Sequence, residues 1–373
     1  MDTSRLLGMA MSFVPGVNAA FVRHMQECGV EPADFFSASR VSLAERLRLN
    51  NAACLDKMVR DEALFRARRE AEFMERHGIV SFSITDEDYP FRLADIDKAP
   101  VTIYRLGSAD LNTGKMLSVV GTRHSSAYGT GYVNALIADL APYFPSLCVV
   151  SGLALGIDSA AHTAAINAGL PTVAVVAHGL DTVYPAVNRD LARSIVGHGG
   201  AIISEYPSGV KPYRSHFLER NRIVATLTDA VIVAESALKG GAMSTAAVAS
   251  SYGRELFALP GRLGDEMSAG CNRLIRSQKA MMAGNVADML AMLGWQPESV
   301  HVSTKQRDLF PELSGNDKIL YDLLRFSSEP LPLDVVRERT GMPISELMAS
   351  LSEMEFDGII ERLPGNRFSP IRY

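Results

Sequence analysis

The apolar positions divide the chain into stretches of different period. Over residues 1–75 they recur at helical spacing, as in Leu43, Leu47 and Leu49 and then Leu55, Met58 and Val59, with Pro15-Gly16 marking a turn. From about residue 76 the pattern becomes short apolar runs separated by helical stretches. The runs are Met116–Val120, Leu147–Val150, Thr172–Ala177, Ala201–Ser204, Ala230–Ala234 and Glu255–Leu259. They are rich in Val and Ile and lack polar alternation, which predicts strands buried on both faces. The helical stretches between them predict βαβ crossovers and a parallel sheet, closing near Gly294.

Residues 296–315 are polar, contain proline and read as a linker. Helices are expected at Asp317–Phe326, Leu333–Thr340 and Ile344–Asp357, then a hairpin from Gly358–Ile360 and Arg367–Ile371. Three helices and a hairpin form a winged-helix pattern, which suggests duplex DNA. The third helix, however, carries Glu346, Glu353, Glu355 and Asp357 and no Lys or Arg. A helix entering the major groove approaches phosphates, which repel such charge, so protein contact or packing is the better reading. The expected organisation is a helical domain at 1–75, an α/β domain at 76–295, the linker and a winged-helix-like domain at 316–373. The helical domain leaves two readings open: a hairpin whose amides touch DNA phosphates, or a packing or partner domain.

Of 373 residues, 47% are hydrophobic and 21% charged, enough for a core without disulfides or metals. A net charge of −5 argues against a histone-like protein but leaves room for a local basic cluster. Cys28, Cys54, Cys148 and Cys271 form no C-x-x-C pair and read as small apolar residues in a reducing compartment. The eight histidines are scattered, so no metal site is expected, nor any cofactor. There is no signal-peptide pattern and no apolar stretch long enough to span a membrane, so the cytoplasm is the expected location.

Three glycine-containing segments follow strands: GTRHSSAYG (121–129), SGLALGIDSAAH (151–162) and KGGAMSTA (239–246). In open α/β sheets ligands bind beyond the carboxyl ends of the strands. Glycine lets backbone approach a ligand, and each segment precedes a helix whose free N–H groups favour anions. Gly121, Ser125, Ser126, Ser244 and Thr245 are candidates there, the hydroxyls as donors. Tight strand-to-helix turns need glycine for geometry alone, but three at one edge favour a phosphate-binding crevice. Asp158 reads as the N-cap of the following helix and His162 as a packed histidine. No G-x-G-x-x-G follows the first strand and no Walker A sequence occurs, so a dinucleotide or P-loop site is a poor fit.

Residues 211–222 read KPYRSHFLERNR. Lys211, Arg214, Arg220 and Arg222 surround Tyr213 and Phe217, opposed only by Glu219, and a helix is expected from near Leu218. Cations that track a backbone and a ring that stacks a base suit a nucleic-acid single strand. The competing reading is a solvated basic helix with Phe217 in the core. Arg123 and Lys239 would add charge to the same edge.

These segments, with GLDTVYP (179–185), SEYPSGVKPYRSHFLERNRIVATLTD (204–229), GRELFALPG (253–261) and GCNRLI (270–275), resemble the DNA-processing protein A (DprA or Smf) family over about 76–295. The terminal units are similar to that family's SAM-like helical and winged-helix-like domains. The resemblance implies an extended Rossmann-like parallel sheet flanked by those domains. It also implies a homodimer that binds single-stranded DNA, protects incoming strands in natural transformation and helps load the recombinase RecA. The family's cationic pocket maps onto Arg123, Lys211, Arg214 and Phe217 first, and onto Arg220, Asn221, Arg222 and Lys239 second. Its key cation falls on Lys211 or Arg214. Where the family often has G-S-G-S-L-x-T, this chain has KGGAMST, with Ala242 and Met243.

The main rival is an enzyme of the same fold. KGGAMSTAAVAS is similar to the P-G-G-x-G-T-x-x-E motif of lysine-decarboxylase-like phosphoribohydrolases, which cleave nucleoside monophosphates. After Thr245, however, come Ala246, Ala247, Val248 and Ala249, and no nearby carboxylate offers a general acid or base. A third reading is a module that bridges proteins without touching DNA.

Overall fold

A computed structural model describes residues 2–49, 52–297, 315–327, 330–356, 359–363 and 366–370. The chain divides into two compact units, Met1–Val300 and His301–Tyr373.

The first unit opens with the helices α1 (Thr3–Met11), α2 (Ala19–Glu27), α3 (Pro32–Ser37), α4 (Arg40–Arg46) and α5 (Lys57–His77). Leu43, Leu47 and Leu55 are buried in their shared core, as their spacing predicts. Met58 is not: it is 85% exposed, because α5 starts one residue earlier and Leu55 belongs to the turn before it. The same core takes in Ile79 and Tyr104 from the first two strands, β1 (Ile79–Ser83) and β2 (Thr102–Gly107). Between these lies the short α6 (Phe91–Ala94).

There follow β3 (Met116–Gly121), α7 (Ala127–Leu140), β4 (Cys148–Ser151), α8 (Ile157–Asn167), β5 (Thr172–Val175), α9 (Arg189–Gly197) and β6 (Ala201–Ser204). The unit continues with α10 (Arg214–Thr226), β7 (Ala230–Glu235), α11 (Gly241–Ser251), β8 (Glu255–Ala258), α12 (Ala269–Arg276), β9 (Met281–Met282) and α13 (Val286–Leu293). The six apolar runs are thus β3 to β8. They form a parallel sheet, extended by β9 at one edge and by antiparallel β2 and β1 at the other, in the order β1-β2-β6-β5-β4-β3-β7-β8-β9. The antiparallel pair carries Ser81, Ser83, Thr102 and Arg105, so it lacks the unbroken apolar run that marks the others.

The sheet is covered on both faces. Leu117 and Val119 of β3 pack with α7, α8 and α13, while Met116 and Val120 pack with α10, α11 and α12. Each such fully buried Val or Leu contributes on the order of 1.5–3 kcal/mol. From β3 the chain winds to β4, β5 and β6 on one side, then returns to place β7 against the other side of β3. This reversal puts the topological switch point between β3 and β7, where such sheets leave a crevice.

The second unit contains α14 (Gly315–Arg325), β10 (Leu331–Pro332), α15 (Leu333–Thr340), α16 (Ile344–Phe356), β11 (Ile360–Leu363) and β12 (Arg367–Pro370). Its strands pair in the order β10-β12-β11, giving the expected winged-helix arrangement with one strand more than the hairpin. On α16, Glu346, Glu353 and Glu355 are exposed. Residues 298–314 of the segment read as a linker, together with Asp357, Gly358 and Ile371, lie outside the described residues.

Candidate nucleic-acid interface

A groove of about 880 Å³ opens at the switch point. Its walls come from Val120–His124 at the end of β3, from Gly152, Ala154 and Asp158 after β4, from Pro212–Arg214 and the first turns of α10, and from Ser236, Ala237 and Lys239–Ala242 after β7. Arg123 and Arg214, 91 residues apart in sequence, line the same groove, together with Arg220, Asn221 and Lys239. Asp158 is the one carboxylate in this lining. The rim is therefore cationic although the whole chain carries −5. Arg123, Arg214 and Lys239 are exposed, and no carboxylate among the described residues pairs with them.

The aromatic part of the groove is a tilted cluster, with the Phe217 and Tyr184 rings at 52° to each other. The Arg123 guanidinium lies 5.6 Å from the Phe217 ring centroid, and Phe217 lies 5.7 Å from Tyr184. Phe217 belongs to none of the hydrophobic cores and is half-buried, so the core reading of this ring is set aside. Tyr184 and Tyr213 are 45% and 68% exposed, leaving ring faces open to stacking. Helix α10 begins at Arg214, four residues earlier than expected, which sets Arg214 and Phe217 within its first turn and stretches Lys211–Tyr213 across its entrance.

The three glycine segments prove unequal. The Ser126 amide and hydroxyl donate to the two oxygens of Glu235 at 2.8 and 2.5 Å, and Gly129 N–H donates to Ser126 Oγ at 3.2 Å. The start of α7 is therefore closed by the protein's own carboxylate. Gly129 makes this possible: a Cβ there would stand 2.4 Å from the Glu235 carboxyl carbon. The expectation of free donors at α7 is corrected accordingly.

The second segment closes in another way. Gly156 at φ +76° precedes α8, and a Cβ on it would lie 2.3 Å from the Thr122 carbonyl oxygen. Asp158 is not the N-cap: it is the second residue of α8, 8% exposed, and accepts from Ala154 N–H at 3.3 Å. Burial raises its carboxyl above the usual range, and the Arg220 charge opposes the rise. Arg220 is 5% exposed and donates through Nη1 to the Val175 carbonyl. Between the two groups sits Gly152, where a Cβ would meet Arg220 Nη1 at 2.0 Å and Asp158 Oδ2 at 2.7 Å. His162 is a packed histidine, its Nδ1 at 2.8 Å from Thr172 Oγ1 and its pKa pushed down to about 3 by burial.

Only the third segment stays open. Helix α11 starts at Gly241 with no side-chain cap, and α10 likewise has none. At Gly240 the nearest atom to an added Cβ is Ser236 Oγ at 3.6 Å, and at Gly241 it is Asn221 Nδ2 at 3.9 Å. Packing does not demand glycine at either position, and both line the groove with bare backbone.

Not every expected residue faces this groove. Gly121 lines it, but its missing Cβ makes room for Ile157, 2.4 Å away. Arg222 is directed elsewhere: it pairs with Glu205 and donates from Nε to the Lys98 carbonyl at 2.7 Å. Its neighbour Asn221 donates to the Gly241 carbonyl at 3.4 Å, tying α10 to α11. Ser125, whose Oγ meets Thr130 Oγ1 at 3.1 Å, Ser244 and Lys211 stand outside the lining. Sequence reasoning overlooked Tyr184 and Glu235 and gave Asp158 only as an N-cap; the GLDTVYP segment and the polar end of an apolar strand were the available signals. Asp158 and Glu235 do lie nearby, but each is held by the protein's own donors, so neither is a free acid or base.

Cys54, Cys148 and Cys271 are buried and Cys28 half-buried, all as free thiols. Burial pushes Cys148 and Cys271 up to about 12, which makes them poor nucleophiles. No group of His, Cys, Asp or Glu among the described residues could hold a metal ion.

Comparison with known proteins gives consistent matches. The family described as DNA recombination-mediator protein A matches residues 81–294, and the DprA winged helix domain matches residues 307–366. Protein Smf of Escherichia coli is 36% identical over 289 residues, covering 75% of this chain and 74% of that protein. DNA processing protein DprA of Streptococcus pneumoniae is 39% identical over 237 residues, covering 60% and 82%. The X-ray structure of the S. pneumoniae DprA superposes with a TM-score of 0.57 at 33% identity, covering 74% of this chain and 98% of that one. A structure of DNA processing protein A from Helicobacter pylori, described as giving insight into its single-stranded DNA binding mode, matches with a TM-score of 0.52 at 31% identity, covering 58% and 95%.

Proposed function

Since this chain belongs to the DNA recombination-mediator protein A family, we propose that its switch-point groove binds single-stranded DNA with little sequence preference. One observation carries the reading. Two uncapped helix starts, three exposed cations and an aromatic cluster converge on one groove, where no carboxylate among the described residues pairs with the cations. Phosphates take the N–H groups and cations, while bases stack on Phe217 and its neighbours. Duplex DNA stacks its own bases and offers no free faces to those rings. Arg123, Arg214, Lys239 and Phe217 are the contacts; Lys211 meets the strand as it leaves the groove. Arg220 holds the floor, and Arg222 the loop behind it.

In this reading the protein coats incoming single strands and hands them to the recombinase RecA as a homodimer in the cytoplasm. No helix among the described residues is long and apolar enough to cross a membrane. The hydrolase reading is weaker. Asp158 lies buried beneath Gly152 and Glu235 is occupied by Ser126, so neither carboxylate is free to serve as an acid or base in the groove. Incubation with nucleoside monophosphates should release no base.

The direct test compares single-stranded and duplex oligonucleotides at two salt concentrations. Single strands should bind better, with a log–log salt slope of about 0.7 per neutralised phosphate. Arg123→Ala and Arg214→Ala should each lose about 1.5–3 kcal/mol of oligo-dT affinity, with a shallower slope and an unchanged melting curve. Full affinity in both variants would move the site elsewhere.

A further inference from the structure

The segment that brings Lys211–Phe217 to the groove is held from behind by the helical N-terminal region. Glu70 of α5 is 7% exposed, and both of its oxygens are used on one residue: Oε1 accepts from Ser208 N–H at 2.9 Å and Oε2 from Ser208 Oγ–H at 2.6 Å. Ser208 lies in the loop between β6 and α10. On its other side this loop is pinned by Gly209 N–H donating to Asp181 at 2.9 Å and by Gly179 N–H donating to the Val210 carbonyl at 2.9 Å. The crossing is close: a Cβ on Gly179 would stand 2.4 Å from the Pro207 carbonyl oxygen. No cation among the described residues forms a salt bridge with Glu70. A carboxylate taken this far out of water is costly unless its hydrogen bonds are satisfied, and here one serine satisfies them.

We propose that Glu70 is a positioning residue for the groove: through Ser208 it fixes where Lys211–Phe217 stand, so that the helical region sets the binding geometry without touching the strand. The proposal rests on the single-strand reading above. Its sign distinguishes it from simple electrostatics. Removing a negative charge behind a polyanion site should strengthen binding if charge alone matters. Removing a brace should weaken it.

The test uses the full-length chain and oligo-dT. Glu70→Ala should bind about tenfold more weakly with an unchanged salt slope, because no phosphate contact is lost. Glu70→Gln, whose amide can accept from the Ser208 N–H and donate to its hydroxyl, should restore binding to within about twofold of the parent. Ser208→Ala, which removes one bond and keeps the fold, should fall between them and decides the matter if Glu70→Ala does not fold. Hydrogen exchange at 205–213 in the free protein should quicken in Glu70→Ala and not in Glu70→Gln, a result independent of DNA. Parental or tighter binding by Glu70→Ala and Ser208→Ala, with unchanged exchange, overturns the proposal. Failure of the parent chain to bind oligo-dT would instead overturn the reading of the groove, leaving the exchange result to judge the brace.

Discussion

Helices α7 and α11 begin in the same way and end up doing opposite things. Each follows a glycine-containing turn after one of two neighbouring strands, β3 and β7. Yet the start of α7 is filled by Glu235 and Ser126, while that of α11 has no side-chain cap and opens on the groove. Helix α8 has no side-chain cap, but its first N–H is spent on the Thr122 carbonyl at 3.2 Å; α10 resembles α11. A glycine turn before a helix is therefore an anion site only when the protein leaves its donors unspent. The glycines themselves record the difference. Gly129 and Gly152 are empty because a carboxylate or guanidinium of the protein occupies the space, whereas a Cβ at Gly240 or Gly241 would make only an ordinary contact, at 3.6 and 3.9 Å.

The largest effect should come from unbalancing the closed side. Arg220→Met leaves Asp158 buried without its neighbouring charge and should cost about 3–5 kcal/mol of stability in urea denaturation at neutral pH. The pH dependence follows from the raised Asp158 carboxyl. Its stabilising contribution is complete below the ordinary value of 3.8 and is lost as pH rises through the raised value. Without Arg220 that value climbs further, so the gap between variant and parent should narrow on acidification. A gap that is constant with pH would show that the two groups are not coupled.

Opening the closed start is the next test. Glu235→Ala should cost about 1–3 kcal/mol, because Ser126 loses its acceptor. Sulfate should then raise the melting temperature of the variant more than that of the parent, since α7 would have acquired spare donors. Equal responses would erase the distinction between the two kinds of helix start.

On the open side, Phe217→Ala should lose about 1–3 kcal/mol of oligo-dT affinity, the range for one stacked base. Its melting temperature should barely change, because the ring lies outside the cores. The smallest and sharpest effect is at α11. Gly241→Ala has room and should stabilise the helix by at most about 0.5–1 kcal/mol, yet weaken single-strand binding by covering the backbone. A variant that gained both stability and affinity would mean that no ligand approaches there.

Two arginines two residues apart make the same point about legibility. Arg220 and Arg222 look equivalent in R-N-R, and nothing local separates them. In the fold Arg220 lies under the groove beside Gly152, while Arg222 turns to Glu205 on the far side of the helix. Helical periodicity puts residues two apart on different faces, but which face meets the groove depends on how α10 lies across the sheet.

The chain's own residue order determined the six parallel strands, the helices between them, the C-terminal winged-helix pattern and the presence of glycine turns and cations at one rim. These depend on runs and periods within about ten residues, where burial on one or two faces leaves a direct mark on composition. The tertiary structure alone decided which helix start is spent and which is free, because the deciding partners are far apart in sequence: Ser126 and Glu235 by 109 residues, Glu70 and Ser208 by 138. Hydrogen bonds of that kind depend on distance and direction in space, to which a carboxylate's place in the sequence gives no guide.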